Sequence, residues 1–269
     1  STRVRSSAAS DVYKRQHESQ VLTHNRINKM KINKESNVYT VVYAAVLVVV
    51  VGFVLALVYQ AMRPAQLENI ANDTKKQILA AALIHPSGAE TVSELYDRHI
   101  TGSYCVNSKG ERIEGIDAMS VSMAAEVKKP AEKRQLPVFE CQTEKGTKYI
   151  VPVAGAGLWG PIWGYIAMDA NGVDIYGAYF GHQGETPGLG AEIEKPAFSD
   201  QFGGKPIFGS DGQFESVLVV KKGQEPTDRA YVNAVSGGTI TSQGVQKMLA
   251  ESLEPYTAYF KSLDNESTK

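Results

Sequence analysis

The chain has 269 residues, 43% of them hydrophobic and 21% charged, with a formal net charge of −1. This is globular composition with room for one sizeable domain or two small ones. Residues 1–29 carry six basic and two acidic side chains, leaving 22 basic against 27 acidic in the rest; a mildly acidic body argues against nucleic acid as a partner.

Residues 1–29 begin with Ser, lack apolar periodicity and are rich in Ser and Arg. They read as a non-native or disordered leader: a transit-type segment, or upstream sequence translated in error before a start at Met30. From 39 to 59 run twenty-one uncharged residues, mostly Val, Ala and Leu. As a helix of about 1.5 Å per residue this run reaches about 31 Å, a bilayer core. It predicts one transmembrane helix within an anchor of residues 30–63, with Tyr39, Tyr43 and Tyr59 near the two interfaces. A cleaved signal peptide is the competing reading, but its apolar region is about 7–15 residues long and no small-residue cleavage site follows this run. Lys31 and Lys34 precede the run and only Arg63 follows closely, which predicts that the rest of the chain lies outside the cytoplasm. There a disulfide between Cys105 and Cys141 is permitted; sequence alone leaves open whether they bridge or stay as thiols.

Residues 64–83 carry helical spacing (Leu67, Ile70, Ile78, Leu79, Ala82) and form the start of a connector, 64–98. Residues 99–262 form the soluble domain, and 263–269 a tail. Short strand-like segments surround Cys105 and Cys141, a helical stretch covers 118–132 with a break near Pro130, and further strands are expected at 148–154, 162–168, 173–180 and 214–221. Val245, Met248, Leu249 and Leu253 mark a final helix. Without regular βαβ alternation the fold class is α+β, a mixed sheet-and-helix domain.

Three stretches carry the candidate chemistry. Ser236-Gly-Gly-Thr239-Ile-Thr-Ser242 places four hydroxyls and two glycines at the start of that helix. It reads either as a capped helix start or as a phosphate seat, because glycines admit an anion to backbone amides and a helix N-terminus favours negative charge. Gly155-Ala-Gly157-Leu-Trp-Gly160 matches the dinucleotide pattern of glycines, but Pro161 and Trp163 continue it as a strand rather than a helix, which argues against a nucleotide fold. Gly203-Gly204-Lys205 is no phosphate loop because Pro206 follows. Trp159 and Trp163 lie four apart and would share a face if the segment were extended, stacking on a planar ligand or filling a core. His182-Gln-Gly-Glu185-Thr-Pro-Gly-Leu-Gly190 is a turn-rich loop with one histidine and one carboxylate, too few ligands for a metal site. No nucleophile turn surrounds Ser236, and one serine with one distant histidine shows no triad, which argues against Ser236 as a hydrolase nucleophile.

On these three motifs, residues 157–165, 181–190 and 236–242, the chain resembles the NqrC subunit of the bacterial sodium-translocating NADH:quinone reductase, from the membrane helix to the final helix. The last motif is similar to the family's flavinylation motif, Ser/Thr-Gly-Ala-Thr. The resemblance implies FMN joined through its phosphate to the oxygen of Thr239, with Ser236, Gly237, Gly238, Ile240 and Thr241 around the phosphate and Glu185, Thr186, Pro187, Gly188 and Leu189 along the ring. Trp159 and Trp163 are further wall candidates. It departs at Asn233, where the family commonly has Asp, and at Gly238 in place of Ala. The implied function is electron relay from NADH toward quinone, coupled to sodium export, in a multi-subunit inner-membrane complex, with a flavin transferase as the maturation partner. The alternatives are the flavoprotein subunit of an Rnf-type ferredoxin:NAD oxidoreductase and a membrane-anchored binding module for another phosphate ligand.

Overall fold

A computed structural model describes residues 37–88 and 90–267; the 1–29 leader, Lys31 and Lys34 lie outside the described residues. The chain divides into two compact units at Leu67/Glu68. The first contains the apolar part of α1 (Asn37–Ala81), the one helix among the described residues long and apolar enough to cross a membrane. The helix expected at 64–83 is not a separate element: α1 passes through Pro64 without ending. It stops at Leu83, which adopts φ 60°, while the amide of Ile84 donates to Leu79 O (3.0 Å) and that of Leu83 to Ala80 O (3.0 Å).

In the second unit, α2 (Val92–His99) opens on a capping box: Thr91 Oγ1 accepts from the Glu94 amide and Glu94 Oε2 accepts from the Thr91 amide. Six antiparallel strands follow, β1 (Ile100–Val106), β2 (Arg112–Ile113), β3 (Leu136–Thr143), β4 (Gly146–Ala156), β5 (Pro161–Met168) and β6 (Ile175–His182), in the spatial order β2-β1-β3-β4-β5-β6. Their central residues form nearly unbroken apolar runs because both faces of the sheet are covered. Phe139, Cys141, Ile150 and Ala167 meet the end of α1 and α2 through Ile78, Leu79 and Leu95. Val138, Val151, Val153, Ile162, Ile166 and Phe180 face the opposite layer. Alternation along each strand sends successive side chains to these two layers.

The helical stretch expected over 118–132 is a correction. It consists of a 3-10 turn Ala118–Ser120, the single turn α3 (Met123–Glu126) and a second 3-10 turn Ala131–Lys133. Asp117 takes the Met119 amide on its side chain (3.0 Å) and the Ser120 hydroxyl on its carbonyl (2.6 Å), and Pro130 fixes an extended backbone, so local bonds displace the helix. After β6 come a 3-10 segment Gly190–Glu194 and α4 (Pro196–Ser199). The strand expected at 214–221 is only β7 (Leu218–Val220), because Ser216 turns the chain at φ 60°. It pairs in parallel with β8 (Tyr231–Asn233). The chain then enters α5 (Thr239–Leu253), whose Val245, Met248, Leu249 and Leu253 pack on the second face of the sheet, and ends in α6 (Thr257–Ser267).

Strand register settles the cysteines. Cys105 stands opposite Pro137, four residues along β3 from Cys141, a displacement of about 13 Å that no disulfide spans. Both are free, buried thiols, and burial pushes each up to about 11.

Candidate functional site

The stretch 236–242, from the end of the loop after β8 into the first turn of α5, sorts its four hydroxyls by burial. Thr241 and Ser242 are each 1% exposed and engaged: Thr241 Oγ1 donates to Glu185 Oε2 (2.6 Å), and Ser242 Oγ accepts from the Val235 amide (3.1 Å). The other two, Ser236 and Thr239, are exposed; Thr239 lies at the first position of α5, between Gly238 and Ile240, at a helix start with no side-chain cap. Gly237 has φ 73°, a left-handed conformation that suits glycine, and a side chain there would strike Leu189. The cap residue Gly238 gives α5 no side-chain hydrogen bond, and the first intrahelical bond runs from the Ser242 amide to Gly238 O (2.9 Å). The amides of the first turn therefore stay available beside the Thr239 hydroxyl, and the helix dipole favours an anion there. A Cβ on Gly238 would sit 3.1 Å from Val235 and 3.2 Å from Gly190, so glycine is the easier fit where the resembled motif carries alanine.

Two other motifs converge on this helix start. The glycine pattern at 155–160 is a hairpin turn: β4 ends at Ala156, the Gly157 amide donates to Gly160 O (2.8 Å), and β5 begins at Pro161. The helix that a dinucleotide fold requires is not in that place. The 182–190 loop returns from β6 and is held internally by the Leu189 and Ala191 amides donating to Thr186 O (3.1 and 3.2 Å) and by the Gly188 amide donating to Glu192 Oε1 (3.1 Å). Glu185, 4% exposed, joins the three segments. Its Oε1 accepts from the Trp159 amide (2.9 Å), its Oε2 from Thr241, and its own amide donates to His182 Nδ1 (3.2 Å). Burial raises the Glu185 carboxyl, but the bonds from Thr241 and the Trp159 and Leu158 amides outweigh it and hold the group below its ordinary 4.5.

The motif residues therefore separate by role. Thr186, Pro187, Gly188 and Leu189 are exposed along the loop, and Leu189 touches the position of Gly237. Ile240 (54%), Leu189 (43%), Trp159 (69%) and Leu158 (48%) form an exposed apolar rim on these three segments; Ile70 and Leu83 are the other large exposed apolar side chains of the second unit's described residues. Exposed apolar surface gathered in one place marks a binding surface. The two tryptophans do not share a face. Trp159 sits in the turn, whereas Trp163 lies within β5 on the α1 side of the sheet, donating through Nε1 to Gln77 Oε1 (3.0 Å). The shared-face expectation required an extended segment, and the turn at 157–160 removes that condition.

Sequence reasoning missed several supports. Gln201 grips both backbone groups of Asn233, accepting its N–H (2.8 Å) and donating to its carbonyl (3.4 Å), so the position that departs from the family motif is held through its main chain. Gln246 accepts the Val219 amide (2.8 Å), tying α5 to β7. No local pattern announces such long-range amide contacts. Leu158, by contrast, stood within a quoted motif beside Trp159, and only its exposure distinguishes it.

The family model for an FMN-binding domain matches residues 157–254, a range that contains all three motifs. The NqrC subunit of the Na(+)-translocating NADH-quinone reductase of Vibrio anguillarum is 30% identical over 234 residues, covering 81% of this chain and 90% of the relative. The corresponding protein of Pseudomonas aeruginosa is 28% identical, with coverage of 81% and 91%. Among solved structures, the counterpart from Parabacteroides distasonis superposes with a TM-score of 0.69 at 45% identity, covering 74% of this chain and 96% of that one. Shewanella oneidensis NqrC shares the fold, with a TM-score of 0.61 at 24% identity. The chain thus belongs to the NqrC family of Na(+)-translocating NADH-quinone reductase subunits, components of an oxidoreductase complex with an FMN-binding domain.

Proposed function

We propose that the chain carries FMN in phosphoester linkage to Thr239 and relays electrons, originating from NADH and passing toward quinone, inside the complex that exports sodium. The observation that carries this reading is the separation of hydroxyls at the start of α5: Thr241 and Ser242 are buried and bonded, while Thr239 occupies the first helical position beside unpaired first-turn amides. The surroundings fit the group. First-turn amides, the Ser236 hydroxyl and the helix dipole suit a phosphate. The rim of Leu158, Trp159, Leu189 and Ile240, with Thr186, Pro187 and Gly188 beside it, suits a flat ring. When bound, FMN supplies the redox chemistry, and the protein positions it. Glu185 has both oxygens committed to protein donors, so its part is to hold the loop rather than to touch the ring. Trp163 is left out of the ring wall because it lies on the α1 side of the sheet.

Within the same reading, the apolar part of α1 is a single membrane anchor, the N-terminus is cytoplasmic and the second unit is periplasmic. Lys31 and Lys34 before the helix, against Arg63 after it, support that orientation. The other subunits and a flavin transferase are the implied partners.

Co-expression with a flavin transferase followed by a denaturing gel tests the linkage. The band of this chain should fluoresce as flavin, and Thr239→Ala should extinguish it; a dark wild-type band sinks the covalent reading. An impermeant thiol reagent, applied to spheroplasts carrying Lys247→Cys at an exposed site of α5, should label before lysis if the second unit is periplasmic. Labelling confined to lysed cells reverses the orientation.

A further inference from the structure

Glu185 is a buried carboxylate that the electron relay itself does not use, and its geometry goes beyond that of a loop anchor. Each oxygen fastens a different segment: Oε1 the turn between β4 and β5 through the Trp159 amide, Oε2 the first turn of α5 through Thr241 Oγ1. The space it fills is bounded by two glycines. A Cβ on Gly157 would overlap Oε1, and one on Gly190 would overlap both Oε2 and Thr241 Oγ1. Both glycines stand in the motifs quoted above, and here they are small because the carboxylate occupies their side-chain volume.

We infer that Glu185 is a positioning residue that clasps the Trp159 turn to the Thr239 helix start, setting the separation of the two walls between which the flavin is held. The flavin side of this statement rests on the function proposed above. Thr241 Oγ1 and the two backbone amides face the carboxylate as donors, from α5 and from the β4–β5 turn. His182, at the end of β6, accepts the Glu185 amide and stands 3.5 Å from Glu194. A glutamine at this position can keep its oxygen on the Trp159 amide and turn its NH2 to Thr241, whose hydroxyl then accepts, but it removes the negative charge that strengthens both bonds. The hydrogen bonds of Thr241 and of the Trp159 amide meet on this one carboxylate, so coupling between the two segments passes through it.

The test uses the full chain in detergent, without flavin, and reads hydrogen exchange of the Trp159 amide in wild type, Thr241→Val, Thr241→Ser and Glu185→Gln. Loss of the Thr241 hydrogen bond in Thr241→Val, and loss of charge assistance in Glu185→Gln, should each speed exchange about tenfold, while Thr241→Ser, which restores a donor, recovers protection. Trp159 protection in wild type should also fall as pH drops below the ordinary carboxylate range, and Glu185→Gln should lack that step. With a flavin transferase present, the same two variants should label at Thr239 about tenfold more slowly although folded by circular dichroism. Unchanged Trp159 exchange in Thr241→Val overturns the clasp. If wild type never takes flavin, the proposed function fails, and the exchange measurement still decides the clasp.

Discussion

Thr239 and Thr241 are two residues apart in sequence and opposite in fate. One stands at the open start of a helix and the other is buried against Glu185. Sequence composition places all four hydroxyls of 236–242 on an equal footing, and only their hydrogen bonds and the helix start separate the candidate attachment site from the structural ones. The Glu185 carboxyl, held below 4.5, stabilises the folded state above that value and ceases to do so as pH falls through its folded value. Acid unfolding followed between about pH 5 and 2 should therefore show an inflection that Glu185→Gln flattens. The buried thiols run the other way. Their folded values of about 11 against an ordinary 9.0 mean that Cys105 and Cys141 favour the fold least where the thiolate forms: their neutral form is accommodated below pH 9, and the fold is opposed as pH rises toward 11. Neither should react with a thiol reagent at about pH 7 until the chain is unfolded; labelling of the native protein would contradict the register that separates and buries them.

At the scale of elements, α5 lies unusually close to β4. A Cβ on Gly244 would overlap Ala156 O, and one on Gly155 would meet Met248 Cβ at 2.7 Å. Exposed helical Gly→Ala changes stabilise by about 1 kcal/mol, yet Gly244→Ala should cost about 2 kcal/mol because the helix must move off a backbone carbonyl. Chemical denaturation measures the sign; a stabilised Gly244→Ala would show that the close approach is not required. Leu83 closes α1 in the left-handed region, where glycine is the easy residue, so Leu83→Gly should stabilise by about 0.5–1 kcal/mol. Elements with strong local periodicity were legible in the sequence: the apolar run within α1, the 148–154 and 162–168 strands inside β4 and β5, and the 245–253 stripe of α5. Segments 118–132 and 214–221 misled because their apolar residues serve the core from turns, with Asp117, Pro130 and Ser216 deciding the backbone.

For the whole molecule, the site is made by three segments distant in sequence: the β4–β5 turn, the loop after β6 and the start of α5. The antiparallel order puts the first two at one end of adjacent strands, and the β7–β8 pair delivers the third. Each segment was conspicuous in the sequence as a glycine-rich motif, so the ingredients were legible. Their convergence was not, since it depends on the side chain of Glu185 and on the register of β5 with β6, neither of which leaves a local pattern. The same register sends Trp163 to the far face and leaves Trp159 in the rim; the four-residue spacing implied a shared face only for an extended segment.

The central claim, flavin on Thr239, is tested most directly by mass spectrometry of the tryptic peptide 230–247 after co-expression with a flavin transferase. This peptide should be heavier by FMN less one water, with fragmentation placing the adduct on Thr239. An unmodified peptide, or an adduct on Ser236, Thr241 or Ser242, would contradict it.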